Sequence, residues 1–270
     1  MTQDNRPVNL DFDLPAQPQS LVKLDALLRE PDVNLNAIGA LIEGDMSYAA
    51  AVMKAVNSPL YGLKGRVHSV QQAVTYLGLR EISAIAYEAS LQAAFPKVPQ
   101  LLAIWERAGI RGLLMGRLAQ ALSMEAWGAH TAGLFEECGK AVLYRHAPEV
   151  YAPMLAAARD DVHLVELERA AFGCGHGDVG ANLCEAWGLT PAAVASVRHH
   201  VDIQTTLRLP RVSHRYICVL SSLAFTITHD PARLEEVAMK LAPQAMLDQG
   251  SLLRGLHRVK DKIDEALAAA

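Results

Sequence analysis

The chain has 270 residues, enough for one large domain or two small ones with a substantial buried core. Half of it is hydrophobic (51%) and only 6% aromatic, a balance rich in Ala and Leu that favours packed helices over strands. A formal charge of −4, from 25 basic and 29 acidic residues, excludes the basic footprint of a protein that binds nucleic acid or an anionic membrane.

Residues 1–13 are polar and read as a flexible tail. They lack the apolar core of a signal peptide, and no apolar run approaches the ~20 residues that cross a bilayer. The expected location is the cytoplasm, with no membrane partner.

Helical periodicity begins after Leu14. Leu21, Leu24 and Leu28 form one stripe, and Pro31 closes the segment. Asn34 is placed to cap a second helix carrying Leu35, Ile38, Leu41 and Ile42. Asp45 is placed to cap a third with Met46, Ala49, Val52, Met53 and Val56 on its apolar face. That helix stops at "NSPLYG". Ser69 and Gln72 have capping-box spacing before Val70, Ala73, Val74 and Leu77, and another helix follows from Arg80 to Ala94.

A longer helix is expected over 101–122, with Leu101, Ile104, Trp105, Ala108, Met115, Leu118 and Leu122 facing inward. Gly133-Leu134 reads as a turn, and a further helix contains Glu137 to Tyr144. "APEVYAPMLAAARD", 162–171, "GHGDVGANLCEAW" and the segment from Thr190-Pro191 to His200 supply the next four. Residues 213–270 read as two or three more. No stretch has the period-two alternation of a strand, so the fold class is all-α.

"GHGDVG" at 175–180 has the spacing of a dinucleotide fingerprint, but that motif works after a strand, and "VELERAAFG" before it reads as helix. It is expected to be a helix start. The cysteines Cys138, Cys174, Cys184 and Cys218 lack CxxC spacing and read as reduced, buried thiols. His176 opens one helix while His199 and His200 close the next, so three imidazoles, which transition metals favour, can meet at one rim. Glu136 and Glu137, taken alone, suit a solvated helix start.

The order of these features is informative. Leu14-Pro15, Pro31-Asp32, Asp45, "VNSPLYG", Val67 to Ser69, Ala73 and "LGL" are followed by Trp105, Gly133-Leu134 and Gly139-Lys140. Pro148, Tyr151, Glu168, Phe172-Gly173, His176, Gly180, Trp187 and His199-His200 complete the series. Over residues 14–205 this resembles the HDOD family, the HD-related output domain. The resemblance implies an N-terminal helical lobe (14–96) and a second lobe (97–205) similar to the HD metal phosphohydrolases, which include the HD-GYP cyclic di-GMP phosphodiesterases. Residues 206–270 would complete the fold.

It also implies a role in bacterial signal transduction without established catalysis. The HD relatives hold divalent metals with His and Asp to activate water on a phosphoester. Here the first His of that pattern falls at or beside Arg107, the His-Asp pair falls on Glu136 and Glu137, and the last Asp falls near Ser222. His176, His199 and His200 survive. Arginine cannot ligate a metal, since it stays protonated and has no acceptor. The expectation is therefore a vestigial pocket of Arg107, Glu136, Glu137, His176, His199 and His200, with no metal, no cofactor and no catalytic residue.

The expected function is a non-catalytic regulatory domain that binds a signalling protein or a small ligand, with a nucleotide among the possible ligands. The alternative is a divergent metal-dependent phosphohydrolase acting on a nucleotide or cyclic dinucleotide. Tyr61, Leu63 and Arg66, in the loop "NSPLYGLKGRVHS", are candidate docking contacts, because loops between packed helices carry recognition residues. Tyr61 and Leu63 packing between the lobes is the competing reading.

Overall fold

A computed structural model describes residues 12–28, 30, 32–58, 61, 65–202 and 208–268. Among them every regular element is a helix: α1 (Gln19–Leu28), α2 (Leu35–Glu43), α3 (Met46–Val56), α4 (Val70–Ala93), α5 (Pro99–Ala121), α6 (Ala126–Phe135) and α7 (Cys138–His146). They continue as α8 (Pro148–Ala157), α9 (Asp161–Phe172), α10 (His176–Ala186), α11 (Pro191–His199), α12 (Val212–His229), α13 (Leu234–Leu241) and α14 (Gln249–Ala268).

Local chemistry sets many of these boundaries. The Asn34 side chain accepts from the amides of Asn36 and Ala37, and Asp45 accepts from Ser47 and Tyr48, so both helices start where the sequence places their caps. Ser69 Oγ accepts from Gln72 N at 3.1 Å, and Gln72 Oε1 accepts from His68 N at 2.8 Å. As expected, two helical stretches lie within 70–93: α4 is broken at Gly78, whose φ of 75° a side chain would resist. Pro31, Pro59, Gly62 and Leu63 lie outside the described residues.

One element departs from the reading of the sequence. Gly133 and Leu134 are not a turn: they belong to α6. Residues Ala129 to Phe135 are all buried, so α6 has no polar face and leaves no amphipathic period to detect. Gly133 permits this burial, because a Cβ there would stand 2.9 Å from the Arg111 carbonyl oxygen on α5.

The apolar side chains form two clusters that meet at α5 and α6. One draws on α1 to α11, from Leu21, Ile38, Val52 and Ile85 through Leu101 and Ile104 to Phe135, Tyr151 and Val197. The other packs Leu114, Leu118 and Ala132 against Leu220, Leu223, Leu241 and Leu256, so α12 to α14 share a core with α5 and α6. Each fully buried Leu or Ile contributes roughly 1.5–3 kcal/mol. Trp187 Nε1 donates to the Pro15 carbonyl at 3.0 Å and ties the start of the described chain to α10. All four cysteines are free and buried.

Candidate functional site

α6 ends at Phe135 and α7 begins at Cys138, so Glu136 and Glu137 form the junction between two buried helices. α10 runs against α7 so closely that a Cβ on Gly139 would collide with the His176 carbonyl. Both carboxylates therefore point into the protein and are 0% and 2% exposed. They are not the solvated helix start that either would suggest alone. Burying an unpaired carboxylate is prohibitive, so partners are required.

The principal partner of Glu136 is Arg111, on α5. Its Nη1 lies 2.9 Å from Glu136 Oε2 and 3.8 Å from Glu137 Oε1. Its guanidinium also sits 5.5 Å from the centre of the Phe225 ring, a cation–π contact with α12. Glu136 Oε1 accepts from Ser196 Oγ at 2.8 Å, and Ser221 also favours the charged carboxylate. Ser222, where the last HD aspartate was expected, turns back onto its own helix and bonds the Cys218 carbonyl. Burial raises the Glu136 carboxyl, against the pull of Arg111.

Glu137 is held by Lys140 Nζ at 2.8 Å, and the same ammonium reaches Asp161 Oδ1 at 2.7 Å. Burial pushes Glu137 up, but the Lys140, Arg111 and Arg107 cations outweigh it and hold the carboxyl well below its usual range. Asp161 is likewise lowered, with Lys140 overcoming its desolvation. Arg107 faces Glu137 at 3.5 Å, yet its side chain remains 46% exposed. The inward cations are thus Arg111 and Lys140, which sequence reasoning did not single out for this role. A signal existed: Arg111 is four residues after Arg107 and Lys140 three after Glu137, both same-face spacings on a helix.

The histidines stand beside this cluster and divide. His176 is fully buried; its Nδ1 faces both Glu168 oxygens, at 2.8 and 3.0 Å, and its backbone amide donates to the same carboxylate at 2.7 Å. Tyr151 Oη donates to Glu168 Oε1 at 2.5 Å. His200 turns its Nε2 to His176 Nε2 at 3.2 Å and gives its Nδ1 proton to the Val197 carbonyl at 2.8 Å. Both Nδ1 atoms face acceptors, and the two Nε2 atoms face each other. Burial and the neighbouring His176 and Arg111 push His200 down to about 3. His199, adjacent on the helix and about 100° around it, points elsewhere. Burial and Arg198 lower it, while Asp178 and Asp202 act the other way.

The structure thus brings together Arg107, Glu136, Glu137, His176 and His200 and leaves His199 outside. Among the described residues, no three His, Cys, Asp or Glu side chains converge as a metal ion requires. "GHGDVG" is a helix start: Gly175 precedes α10, its amide donates to Asp178 Oδ2, and α9 lies before it. Of the docking candidates, Arg66 is exposed, Tyr61 is partly buried and Leu63 lies outside the described residues.

The paired helices around this cluster match the HDOD domain model over residues 14–203. The chain belongs to the HDOD domain family. An uncharacterized protein of Treponema pallidum (strain Nichols) is 27% identical over 220 residues, which are 79% of this chain and 41% of that relative. The HDOD chain therefore spans less than half of that curated relative's length.

Three solved structures share the fold. One is an HDOD domain protein of unknown function from Geobacter sulfurreducens (19% identity, TM-score 0.69, 95% of this chain and 94% of the other). Another, from Marinobacter aquaeolei VT8, is provisionally described as a signal transduction protein (21%, TM-score 0.71, 96% and 60%). The third, from Shewanella amazonensis SB2B, is provisionally described as a phosphohydrolase (19%, TM-score 0.67, 94% and 95%). No helix among the described residues is long and apolar enough to cross a membrane.

Proposed function

We propose that this HDOD protein is a non-catalytic regulatory domain of bacterial signal transduction, acting by binding a protein or a small ligand. The observation that carries the reading is the pairing of Arg111 with Glu136 and of Lys140 with Glu137 and Asp161. A hydrolytic metal needs anionic or neutral ligands and an open position for water. The carboxylates that would serve here already accept from two buried cations, and a divalent ion between them would face both positive charges. The residues present do not fit such an ion.

The test is elemental analysis of the purified protein together with phosphodiesterase assays on bis-p-nitrophenyl phosphate and on cyclic dinucleotides. The expected result is metal far below one per chain and no turnover that depends on Glu137. Near-stoichiometric iron, manganese or zinc, with hydrolysis abolished in Glu137→Gln, would overturn the proposal.

One observation favours the alternative, a divergent metal phosphohydrolase. The His176 and His200 Nε2 atoms point at each other, and both Nδ1 atoms are already engaged. Two imidazole nitrogens so placed are what a metal would use, so the elemental analysis decides between the readings. Within the binding reading, Arg66 offers an open contact for a partner. Arg66→Ala is then expected to weaken partner recovery at an unchanged melting temperature.

A further inference from the structure

A second polar region shares no lining residue with the ion-pair cluster. It is a cleft of about 510 Å³ between α4, α5 and α14, closed on one side by Tyr61. Its size falls within the range of small-molecule sites. Leu77, Ala121, Val259 and the Tyr61 ring give it apolar walls. Its polar lining is Glu81, Arg117, Gln120, Arg258 and Lys262, three cations against one carboxylate.

These cations are not consumed internally. Arg258 and Lys262 lie four residues apart on α14, one turn of the same face, and neither makes a hydrogen bond or ion pair with another described residue. Arg117 approaches Glu81 Oε2 only to 3.9 Å, too long for a hydrogen bond. That Glu81 oxygen is buried and has no hydrogen-bond donor.

The cleft shares Glu81, Arg117 and Gln120 with a small inner hollow of about 20 Å³, lined also by Trp127 and His130. His130 is 7% exposed, and its Nε2 is buried without a partner. Burial pushes the ring down to about 4, outweighing the Gly112 backbone, which favours the protonated ring. The imidazole is therefore neutral near pH 7. Trp127 stacks on it at 5.6 Å and holds its plane. A buried acceptor left unsatisfied costs about 1–3 kcal/mol. Glu81 Oε2 is one such acceptor, and Arg258 and Lys262, without partners among the described residues, line the same cleft.

A complementary ligand has an anionic end, a flat apolar body and hydrogen-bond donors opposite the charge. We propose that this cleft binds a nucleoside phosphate, with its phosphates on Arg258 and Lys262 and the amino-bearing edge of its base toward Glu81. A sugar phosphate supplies the anion and donors but no planar face for Tyr61, Leu77 and Val259. Inorganic pyrophosphate supplies the anion alone. The inference goes beyond the non-catalytic reading and does not depend on it, because hydrolysis and metal content report on the Glu137 cluster and ligand titration reports on the cleft.

The experiment is isothermal titration of the full chain at low salt with AMP, GMP, ribose 5-phosphate and inorganic pyrophosphate. At least one nucleotide is expected to bind with a dissociation constant below about 1 mM, and the other two probes at least roughly tenfold more weakly. Arg258→Ala combined with Lys262→Ala, both exposed positions, is expected to weaken the nucleotide roughly tenfold or more at an unchanged melting temperature. Glu81→Gln, tested beside it, is expected to narrow the preference for nucleotide over pyrophosphate. No heat from either nucleotide, equal binding of pyrophosphate or ribose 5-phosphate, or unchanged affinity in the double variant would each overturn the proposal.

Discussion

Arg111 and Arg117 stand six residues apart on α5 and have opposite electrostatic surroundings. Arg111 is buried, bonds Glu136 at 2.9 Å and lies within a network in which Ser196 also donates to Glu136 and Lys140 to Glu137. Arg117 lines a cleft, meets Glu81 only at 3.9 Å and has the unpaired Arg258 and Lys262 as neighbours in that lining. A charge whose partners are all internal contributes to folding and has little left to offer a ligand. A charge left short of partners beside a cavity keeps its field available. Glu88 is a third case. It lies against Gly109 of α5 with Gln92 bonded to it, and burial pushes its carboxyl up to about 7.

The largest expected effect comes from opening the closed network. Arg111→Met strands Glu136 and Glu137 in the interior and is expected to cost about 3–5 kcal/mol, read from urea denaturation. A loss below about 1 kcal/mol would mean that water reaches the carboxylates and that the network is not closed. Adding Glu136→Gln to Arg111→Met is expected to restore part of the loss, since it removes the stranded charge.

Lys140→Met is expected to cost less, about 3 kcal/mol at pH 7, because Arg107 and Arg111 stay near Glu137 and Asp161 is 31% exposed. This cost depends on pH with a definite sign. Glu137 and Asp161 both sit below their ordinary values of 4.5 and 3.8 in the folded state. The stability they contribute is complete above those values and is lost as pH falls through the folded ones. The gap between wild type and Lys140→Met is therefore expected to close on acidification, and a gap constant from pH 7 to 3 would contradict the assignment.

Glu88 has the opposite sign. Its folded value is raised above the ordinary 4.5 to about 7, so its contribution is full below 4.5 and is lost as pH rises through 7. Glu88→Gln is expected to raise the melting temperature at pH 8 and leave it unchanged near pH 4.5. The smallest effect belongs to the exposed Arg233–Glu236 pair, at 3.1 Å. Solvent screens it and two long side chains must be ordered to form it, so Arg233→Ala is expected to leave the melting temperature unchanged.

The sequence by itself determined the all-α class, most helix starts and the order of motifs that carries the family. Those properties reside in local chemistry: Asn34, Asp45 and Ser69 act on amides two or three residues away, and an apolar stripe repeats within one helix. It missed α6 because a helix buried all round has no period. Only the tertiary structure decided which cation fills the pocket. Arg107 and Arg111 share a face of α5, and their unequal burial is set by the approach of α6, α7 and α12. The same holds for the cleft, where Tyr61, Glu81, Arg117 and Arg258 come from segments up to about 200 residues apart. Side-chain burial and charge pairing over such separations depend on how helices dock, and local propensity carries no record of it.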